Sequence, residues 1–416
     1  AKPLPLFVSA SILLLIGIVP GMQHAVFITL SGATFGIGYL LLKRDDVEIS
    51  EQAKQQTQVL PPPAKELDWN DIEQVDLIGL EIGYGLIPIV NPETGGQLMT
   101  RVKGIRKKLS AELGFLIPAV HIRDVLTLEP NTYNILVNGV VRASGQLRAD
   151  RELAINSGHS YGKLEGIPTQ DPAFGLEATW IAPSQKDYAR TLGYTVVDAS
   201  TALATHLNKV LRENAADLVS QDETQQLLDK LAARYPKLVE NLVPGKIPLS
   251  VLTRVLQNLL TESVPIKDMR SIVEALSEES AKTQDPDELT GLVRPRLGRM
   301  IVQNLAGVQE VLPVITLEPG LELMLQNVAT QTGVGHTTTL EPDLAESLFT
   351  SLRNGASKAQ EQHDCAILVV SPTVRPWLAK LLKHRVSDLI VLSYSEIPDD
   401  QAVKVVLTIE AQPKQP

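Results

Sequence analysis

The residue pattern that comes nearest to a catalytic motif is Gly158-His159-Ser160-Tyr161-Gly162. Gly-x-Ser-x-Gly is typical of the nucleophile elbow of serine hydrolases, in which a sharp strand-to-helix turn exposes the serine hydroxyl above a sheet. The segment that follows here is KLEGIPTQDPAFG, and its prolines and glycines predict a loop where the elbow requires a helix. We therefore expect Ser160 to lie in a loop. A membrane-tethered hydrolase that uses Ser160 remains the alternative function.

Other residue types that could do chemistry have simpler structural explanations. Asp198, Ser200 and His206 are the types found in a catalytic triad, but their spacing favours Ser200 as the N-cap of a helix that contains His206. The glycine-rich nucleotide-binding motifs are absent from the sequence. The histidines are scattered without metal-ligand spacing on a helix, and His363-Asp364-Cys365 is only a loose cluster. We predict no catalytic residue, no metal and no cofactor.

A basic cluster is the strongest charge feature of the sequence. It consists of five residues within eight positions: Arg101, Lys103, Arg106, Lys107 and Lys108. They fall on the polar side of a predicted helix at 98–113, whose apolar residues recur at helical spacing. A solvated helix face is one interpretation. Because the chain as a whole carries a charge of −10, docking of this helix on an acidic face of an identical neighbour is the other.

Composition and charge bound the class of protein. The chain has 416 residues, of which 44% are hydrophobic and 21% charged, values typical of a folded multidomain protein. The net charge of −10 argues against a nucleic-acid-binding protein, which needs a dominant basic face. Cys365 is the only cysteine, which excludes a disulfide framework and favours a reducing compartment. The chain begins with Ala1, so we expect a piece of a longer or processed protein.

The first 42 residues predict a membrane hairpin. Leu4–Leu42 contains no charged residue, and Pro20-Gly21 divides it into segments of 16 and 21 residues. A membrane-spanning helix needs roughly 17–25 residues, so the second segment is long enough and the first slightly short. Lys2 and Lys43-Arg44 flank the hairpin, which places both ends in the cytoplasm by the positive-inside rule. A signal peptide and a buried core hairpin are the alternatives.

A linker at 43–76 follows the hairpin. It is rich in glutamine and contains the triple proline Pro61–Pro63, and its apolar residues show almost no periodicity. Trp69 is hard to explain as a core residue in such a segment, because tryptophan usually buries a large apolar surface. This position favours a docking peptide.

The remainder of the chain predicts an α+β multidomain protein. We predict helices at 98–113, 184–192, 202–211, 225–233, 249–260, 268–277, 287–305 and 374–383. We predict strands at 86–90, 119–122, 133–141, 153–155, 178–181, 195–197, 366–370, 389–392 and 403–409, with a turn at Asn138-Gly139. The last three strands and the helix among them indicate a parallel sheet with a crossover helix.

Several long runs resemble the FlhA family, the export-gate component of flagellar and related type III secretion systems. They are EIGYGLIPIV (81–90), GIRKKLSAELGFLIPAVHIRD (104–124), DPAFGLEATWI (171–181), TVVDASTALATHL (195–207) and VLQNLLTESVPIKDMRSIVEAL (255–276). The resemblance extends over nearly the whole chain, and the flagellar branch matches better than the injectisome branch. Relative to the family, this chain resembles the last two membrane spans, the linker and the complete cytoplasmic region.

The resemblance implies four cytoplasmic subdomains. They are an α/β subdomain at 77–149 and 199–218, an inserted ferredoxin-like subdomain at 150–198, an all-α subdomain at 219–298 and a second α/β subdomain at 299–416. It also implies a multi-pass protein of the bacterial inner membrane with a large cytoplasmic domain that assembles into a nonameric ring. Expected partners are flagellar export chaperones with their substrates, other export-gate proteins and proteins of the export-ATPase complex, but no nucleic acid.

The resemblance further implies two sets of binding residues. In the family a hydrophobic hollow between the first two subdomains binds chaperone–substrate complexes, and its residues match Asp171, Phe174, Val197 and Thr205. The linker of the family docks on the neighbouring subunit through an acid, a tryptophan and a second acid, which match Glu66, Trp69 and Asp71. An exposed aromatic residue in an apolar hollow is a physically reasonable anchor for a protein partner.

Overall fold

The structure is a computed structural model in which the chain forms two compact units, Ala1–Gln74 and Val75–Pro416. It describes residues 9, 29–37, 39, 75–91, 93, 96–158, 160–307, 311–332, 342–362, 365–383, 385–386 and 389–410. Every described residue of the first unit is helical. Within the described ranges, no helix has both the length and the apolar character needed to cross a bilayer. Most of the hairpin at 1–42 and nearly all of the linker lie outside the described residues, so both stay predictions.

The second unit opens with a four-stranded sheet. Its strands are β1 (Ile78–Ile82), β2 (Val120–Asp124), β3 (Thr132–Val137) and β4 (Val140–Gln146), in the order β2-β1-β3-β4. β1 is parallel to β2 and antiparallel to β3, which pairs with β4 as a hairpin. Asn138 and Gly139 join the hairpin with φ angles of 52° and 74°, as a two-residue type I′ turn requires. The turn predicted at these two residues is confirmed.

Two helices follow β1. The strand predicted at Leu86–Val90 is wrong, because this segment forms the short helix α1 (Ile87–Val90). Pro88 has no N–H group to donate to a neighbouring strand, but the first turn of a helix accommodates it. α2 (Leu98–Leu113) buries apolar residues at helical spacing and ends at Gly114, whose φ of 96° is left-handed. The predicted helix and its end are confirmed.

A second antiparallel sheet is inserted between β4 and the next long helix. It contains β5 (Glu152–Ile155), β6 (Ile167–Gln170), β7 (Glu177–Ile181), α3 (Lys186–Thr191) and β8 (Thr195–Asp198). The strand order β6-β7-β5-β8 is that of a ferredoxin-like fold. The described residues between β5 and β6 are irregular, whereas that fold has its first helix there. Three glycines in this connection disfavour a helix.

Seven helices carry the chain onwards. They are α4 (Ala199–Glu213), α5 (Gln221–Ala232), α6 (Pro236–Leu242), α7 (Leu249–Thr261), α8 (Met269–Glu279), α9 (Pro286–Val293) and α10 (Gly298–Ala306). The N-cap of α4 is Asp198 and not Ser200, because the Asp198 carboxylate accepts the N–H of Thr201 at 2.6 Å. The helix predicted at 287–305 is divided by a 3-10 turn that contains Pro295.

The last part of the chain forms a parallel sheet. Its elements are β9 (Val311–Leu317), α11 (Pro319–Thr332), α12 (Pro342–Gln362), β10 (Ala366–Val370), α13 (Val374–Leu382), β11 (Leu389–Ser393) and β12 (Ala402–Ile409). The order is β11-β10-β9-β12, with every neighbouring pair parallel. The crossover helix predicted between β10 and β11 is α13 and is confirmed.

Buried apolar residues hold the inserted sheet to the sheet before it. Leu153 and Trp180 face each other across β5 and β7, and both belong to the main core together with residues of β1, β3 and α4. Ala154 and Ile181 point to the opposite face and pack in a smaller core with Ala189 of α3. Because β7 packs against a core on each face, its position is fixed, and β6 is hydrogen-bonded to β7. The turn that follows β6 is therefore held in place as well.

Candidate functional site

Asp171 organises a tight turn directly after β6. Its side chain is buried, and one carboxylate oxygen accepts the backbone N–H of Phe174 at 2.7 Å. The main chain closes the turn twice, because the N–H of Asp171 donates to the carbonyl of Leu176 and that of Gly175 donates to the carbonyl of Asp171, both at 2.8 Å. Gly175 has a φ of 70°, a conformation that glycine adopts without strain. The turn is therefore rigid although it lies at the surface.

This turn presents apolar side chains to solvent. Phe174 is 63% exposed, and Leu176 is 42% exposed. Exposing a phenylalanine is unfavourable, because burial of such a side chain contributes roughly 1.5–3 kcal/mol. A buried carboxylate thus holds an exposed aromatic ring in a defined position. That arrangement suits the anchor of a protein–protein interface.

Helix α4 supports the turn from below. The Lys209 ammonium donates to the carbonyl oxygen of Ala173 at 2.7 Å and lies 5.5 Å from the centroid of the Phe174 ring. Thr205 is one helical turn before Lys209, and its hydroxyl donates to the carbonyl of Thr201 at 2.9 Å. Since residues four apart share a helix face, Thr205 lies on the face of α4 that carries Lys209.

A buried polar pair joins β3 to α4. The Tyr133 hydroxyl and Nδ1 of His206 are 2.7 Å apart, and the two rings meet edge to face. Burial lowers the pKa of His206, the positive charge of Lys209 lowers it further, and the Asp171 carboxylate acts in the opposite direction. Burial and the Asp171 carboxylate both raise the pKa of Tyr133. The Asp171 carboxylate, which organises the turn, therefore raises the pKa of both Tyr133 and His206 relative to burial alone.

The structure brings most of the four predicted hollow residues together. Asp171 and Phe174 share the turn, and Thr205 lies on the helix that contacts it. Val197 lies in β8 opposite Leu153 and is partly buried against the main core. Glu66, Trp69 and Asp71 lie outside the described residues, and their docking role stays a prediction.

Residue spacing missed Lys209, Tyr133 and Ala173 as parts of this site. The one signal for Lys209 was its position four residues after Thr205 on an amphipathic helix. Lys209 and Phe174 lie on different elements of the fold, so the spacing of residues along the sequence cannot predict their contact. The prediction that His206 lies inside a helix is confirmed, but residue spacing does not reveal its partner Tyr133 on β3.

The residues that suggested hydrolase chemistry are not arranged for it. Residues 160–166 form no helix, so Ser160 lies in an irregular connection and not at a nucleophile elbow. His206 Nδ1 contacts Tyr133, and the Asp198 carboxylate both caps α4 and pairs with Arg101 at 2.7 Å. Within the described residues, no group of three or more metal-ligating side chains is present.

The basic helix is only partly a solvated face. Arg101 pairs with Asp198, and the Arg106 guanidinium donates to the carbonyls of Ile117 and Pro118, with the shortest contact at 2.7 Å. These two residues therefore tie α2 to the rest of the fold. Lys103 and Lys107 are exposed and one helical turn apart. Of this basic cluster, only the lysines therefore keep a positive charge that a partner could contact.

Flagellar proteins are among the relatives of this chain. The flagellar biosynthesis protein FlhA of Proteus mirabilis is 41% identical over 412 residues, a match that covers 99% of this chain and 58% of that protein. This chain thus spans less than two thirds of the length of the relative.

Solved structures share the fold of most of this chain. The Chlamydia pneumoniae CdsV protein, in its complex with CdsO, has a TM-score of 0.72 and 23% identity, over 82% of this chain and 100% of that one. The nonameric EPEC SctV-C has a TM-score of 0.65 and 21% identity, over 81% of this chain and 99% of that one. Because the FHIPEP family model matches residues 1–402, nearly the whole sequence, the chain belongs to the FHIPEP family.

Proposed function

We propose that this chain is the carboxy-terminal part of an export-gate component of a flagellar type III protein export apparatus. The match to a flagellar biosynthesis protein along almost the entire chain supports this assignment. The chain corresponds to 58% of that relative, so the role proposed here is that of the corresponding part. We assign it the role of a binding platform without a catalytic reaction or a cofactor.

The observation that carries the proposal is the exposed Phe174 ring on a turn that a buried carboxylate holds rigid. Binding to this ring costs little conformational entropy, because the backbone beneath it is already fixed. We propose that flagellar export chaperones with bound substrates dock here. Asp171 would fix the turn, Phe174 would anchor the partner, and Val197 and Thr205 would line the hollow around it.

We further propose that identical chains assemble into a nonameric ring. The related EPEC SctV-C is nonameric, and CdsV forms a complex with CdsO, which supports both self-assembly and binding of other export proteins. Glu66, Trp69 and Asp71 would dock the linker on the neighbouring subunit. Export-gate and export-ATPase-complex proteins are the other partners in this proposal.

The proposal places the protein in the bacterial inner membrane. Two spans at 1–42 would anchor it, and a linker at 43–76 would lead to a large cytoplasmic region. That region would consist of subdomains at 77–149 with 199–218, at 150–198, at 219–298 and at 299–416. The three separate four-stranded sheets of the described residues support such a division.

Calorimetric titration tests the docking site. The 416-residue chain, purified in detergent, is titrated with a purified flagellar export chaperone that carries its substrate. We expect Phe174→Ala and Asp171→Ala each to weaken binding by at least about tenfold, because each removes a central contact or the turn beneath it. Tyr161→Ala is the matched control, because Tyr161 is also a highly exposed aromatic residue of the inserted region.

Equal loss of affinity in Tyr161→Ala and Phe174→Ala would contradict a specific site at the turn. Unchanged affinity in both Phe174→Ala and Asp171→Ala would move the docking site elsewhere on the chain. Should the unaltered chain fail to bind, Trp69→Ala becomes the next variant, because the linker would be occupying the hollow. No binding by Trp69→Ala either would end the proposal for these chaperones.

A further inference from the structure

Lys209 is the residue of α4 that contacts the exposed turn most directly. Its ammonium group makes two different contacts there, a hydrogen bond of 2.7 Å to the carbonyl of Ala173 and a cation–π contact at 5.5 Å from the Phe174 ring centroid. The first contact is to the residue that precedes Phe174, and the second is to its side chain. One cation therefore constrains both the backbone and the ring of the same anchor.

The two constraints on Phe174 are complementary. The Asp171 carboxylate accepts the N–H of Phe174 and fixes its backbone, but a backbone contact leaves the side-chain rotamer free. At 63% exposure, few packed neighbours limit the rotation of the ring. The Lys209 ammonium is attracted to the face of the ring, so it selects the rotamer that keeps that face over α4.

The remaining contacts of Lys209 leave its charge available to the ring. Glu213, one turn later in α4, lies 3.8 Å away with its side chain 58% exposed, where solvent weakens the pair. The stem of Lys209 is partly covered, with its side chain 37% exposed. His206 precedes it on the helix and is already paired with the Tyr133 hydroxyl.

We propose that Lys209 is a positioning residue of the docking surface, which holds the Phe174 ring in the orientation that a partner binds. This inference rests on the proposed function, in which Phe174 is the anchor. A preorganised ring loses less rotamer entropy on binding, so the partner binds more tightly. Removing the cation would leave the anchor present but no longer oriented.

The test uses the 416-residue chain in detergent with 4-fluorophenylalanine placed at position 174. Fluorine NMR of the chain alone reports the environment of the ring without any partner. We expect Lys209→Met, which keeps the stem and removes the cation, to move the resonance, and Lys209→Arg to restore it. Lys230→Met is the matched control, because Lys230 is an exposed lysine of α5.

The same variants, with natural Phe174, are then titrated with the flagellar chaperone–substrate complex. We expect Lys209→Met to weaken binding about two- to fivefold, the range that an exposed cation–π contact corresponds to, and Lys209→Arg to retain the affinity. A merely structural lysine would not give this pattern, since rescue requires a cation and not a particular side chain.

The outcomes separate this inference from the proposed function. An unchanged fluorine resonance in Lys209→Met would overturn the positioning role, whatever the binding data show. A changed resonance with unchanged affinity would overturn the claim that ring orientation governs docking. If Phe174→Ala itself leaves binding intact, the proposed docking site fails, while the fluorine spectra still decide whether Lys209 orients the ring.

Discussion

Arg294 and Glu396 form a buried, two-pronged ion pair that joins the helical region to the parallel sheet. Nη2 and Nε of Arg294 donate to the two carboxylate oxygens of Glu396 at 2.7 and 3.0 Å. Arg294 lies in the turn between α9 and α10, and Glu396 lies in the turn after β11. Both side chains are almost inaccessible to solvent. Glu262 and Arg375 extend the pair into a network of two acids and two bases.

We expect Arg294→Met to destabilise this junction by about 3 kcal/mol or more, because it leaves the Glu396 carboxylate buried without its main partner. The methionine fills part of the space, so the loss of charge pairing dominates the effect. Urea unfolding measures the change, and hydrogen exchange of α10 and β11 shows where it occurs.

Arg296→Met is the control for Arg294→Met. Arg296 lies two residues away in the same turn and pairs with Glu278, but its side chain is 60% exposed. A surface pair of this kind contributes about 0–1 kcal/mol, so the variant should unfold almost like the unaltered chain. Similar destabilisation by both variants would show that the turn, and not the buried pair, determines the stability.

Gly104 inside α2 and Gly114 directly after it should respond oppositely to alanine. Gly114 ends the helix at a φ of 96°, and a Cβ there would lie 2.3 Å from the backbone nitrogen of Lys267. Gly114→Ala should therefore cost at least about 1–2 kcal/mol of unfolding free energy. Gly104 is inside the same helix, and its Cβ would meet nothing within 4 Å. Gly104→Ala should stabilise the chain by up to about 1 kcal/mol.

Urea unfolding of the two variants side by side checks this prediction. A neutral Gly114→Ala would mean that the contact between the end of α2 and Lys267 relaxes without cost. That contact also includes the hydrogen bond from the N–H of Ile266 to the carbonyl of Leu113 at 2.8 Å. If the two variants unfolded alike, the contact between the end of α2 and residues 266–267 would not limit the stability of the chain.

His206 should make the stability depend on pH. Burial lowers its pKa in the folded chain below the ordinary value of about 6.5 that applies to the unfolded chain. As the pH falls below that value, the unfolded chain takes up the proton first, so the stability contributed by neutral His206 decreases until the pH reaches the folded pKa. Unfolding at about pH 7.5 and about pH 5 measures the loss.

His206→Asn should reduce the pH dependence of the unfolding free energy, because the titrating group is gone. The variant also loses the ring contact with Tyr133, so its stability should be lower at every pH. The slope with pH is therefore the informative quantity. An unaltered slope would assign the pH dependence to other groups.

Two of the strands that residue patterns do not predict share a cause, whereas β1, which the patterns also do not predict, contains no proline. β6 contains Pro168 and β9 contains Pro313, and proline within an apolar run argues against a strand. β6 is at the edge of its sheet, where a missing N–H is tolerated. β9 is internal, but β10 pairs with it only from Ile315 onwards, so Pro313 faces a single neighbour. Local pattern cannot reveal either circumstance.

Part of the candidate site is likewise predictable from the sequence and part is not. The resemblance points to the turn at Asp171 and Phe174, and its Pro172 and Gly175 predict an exposed segment. Helical spacing placed Thr205 and His206 on α4. The contacts that make the site specific join residues far apart in the sequence, such as Phe174 with Lys209, and only the packing of the inserted sheet brings them together.

Reversing two of the three exposed lysines of α2, Lys103 and Lys107, tests whether this helix contacts a neighbouring chain. Arg101 and Arg106 are engaged within the fold, so Lys103→Glu with Lys107→Glu changes surface charge while leaving those ties intact. If an acidic face of a neighbour binds this helix, the double variant should shift the chain from assemblies to monomers in sedimentation velocity, because like charges then meet. Lys230→Glu with Lys237→Glu changes the net charge equally at exposed positions of the helical region. If the assembly persists in both double variants, α2 is a solvated face. Electrostatic attraction between subunits would then have to come from another surface.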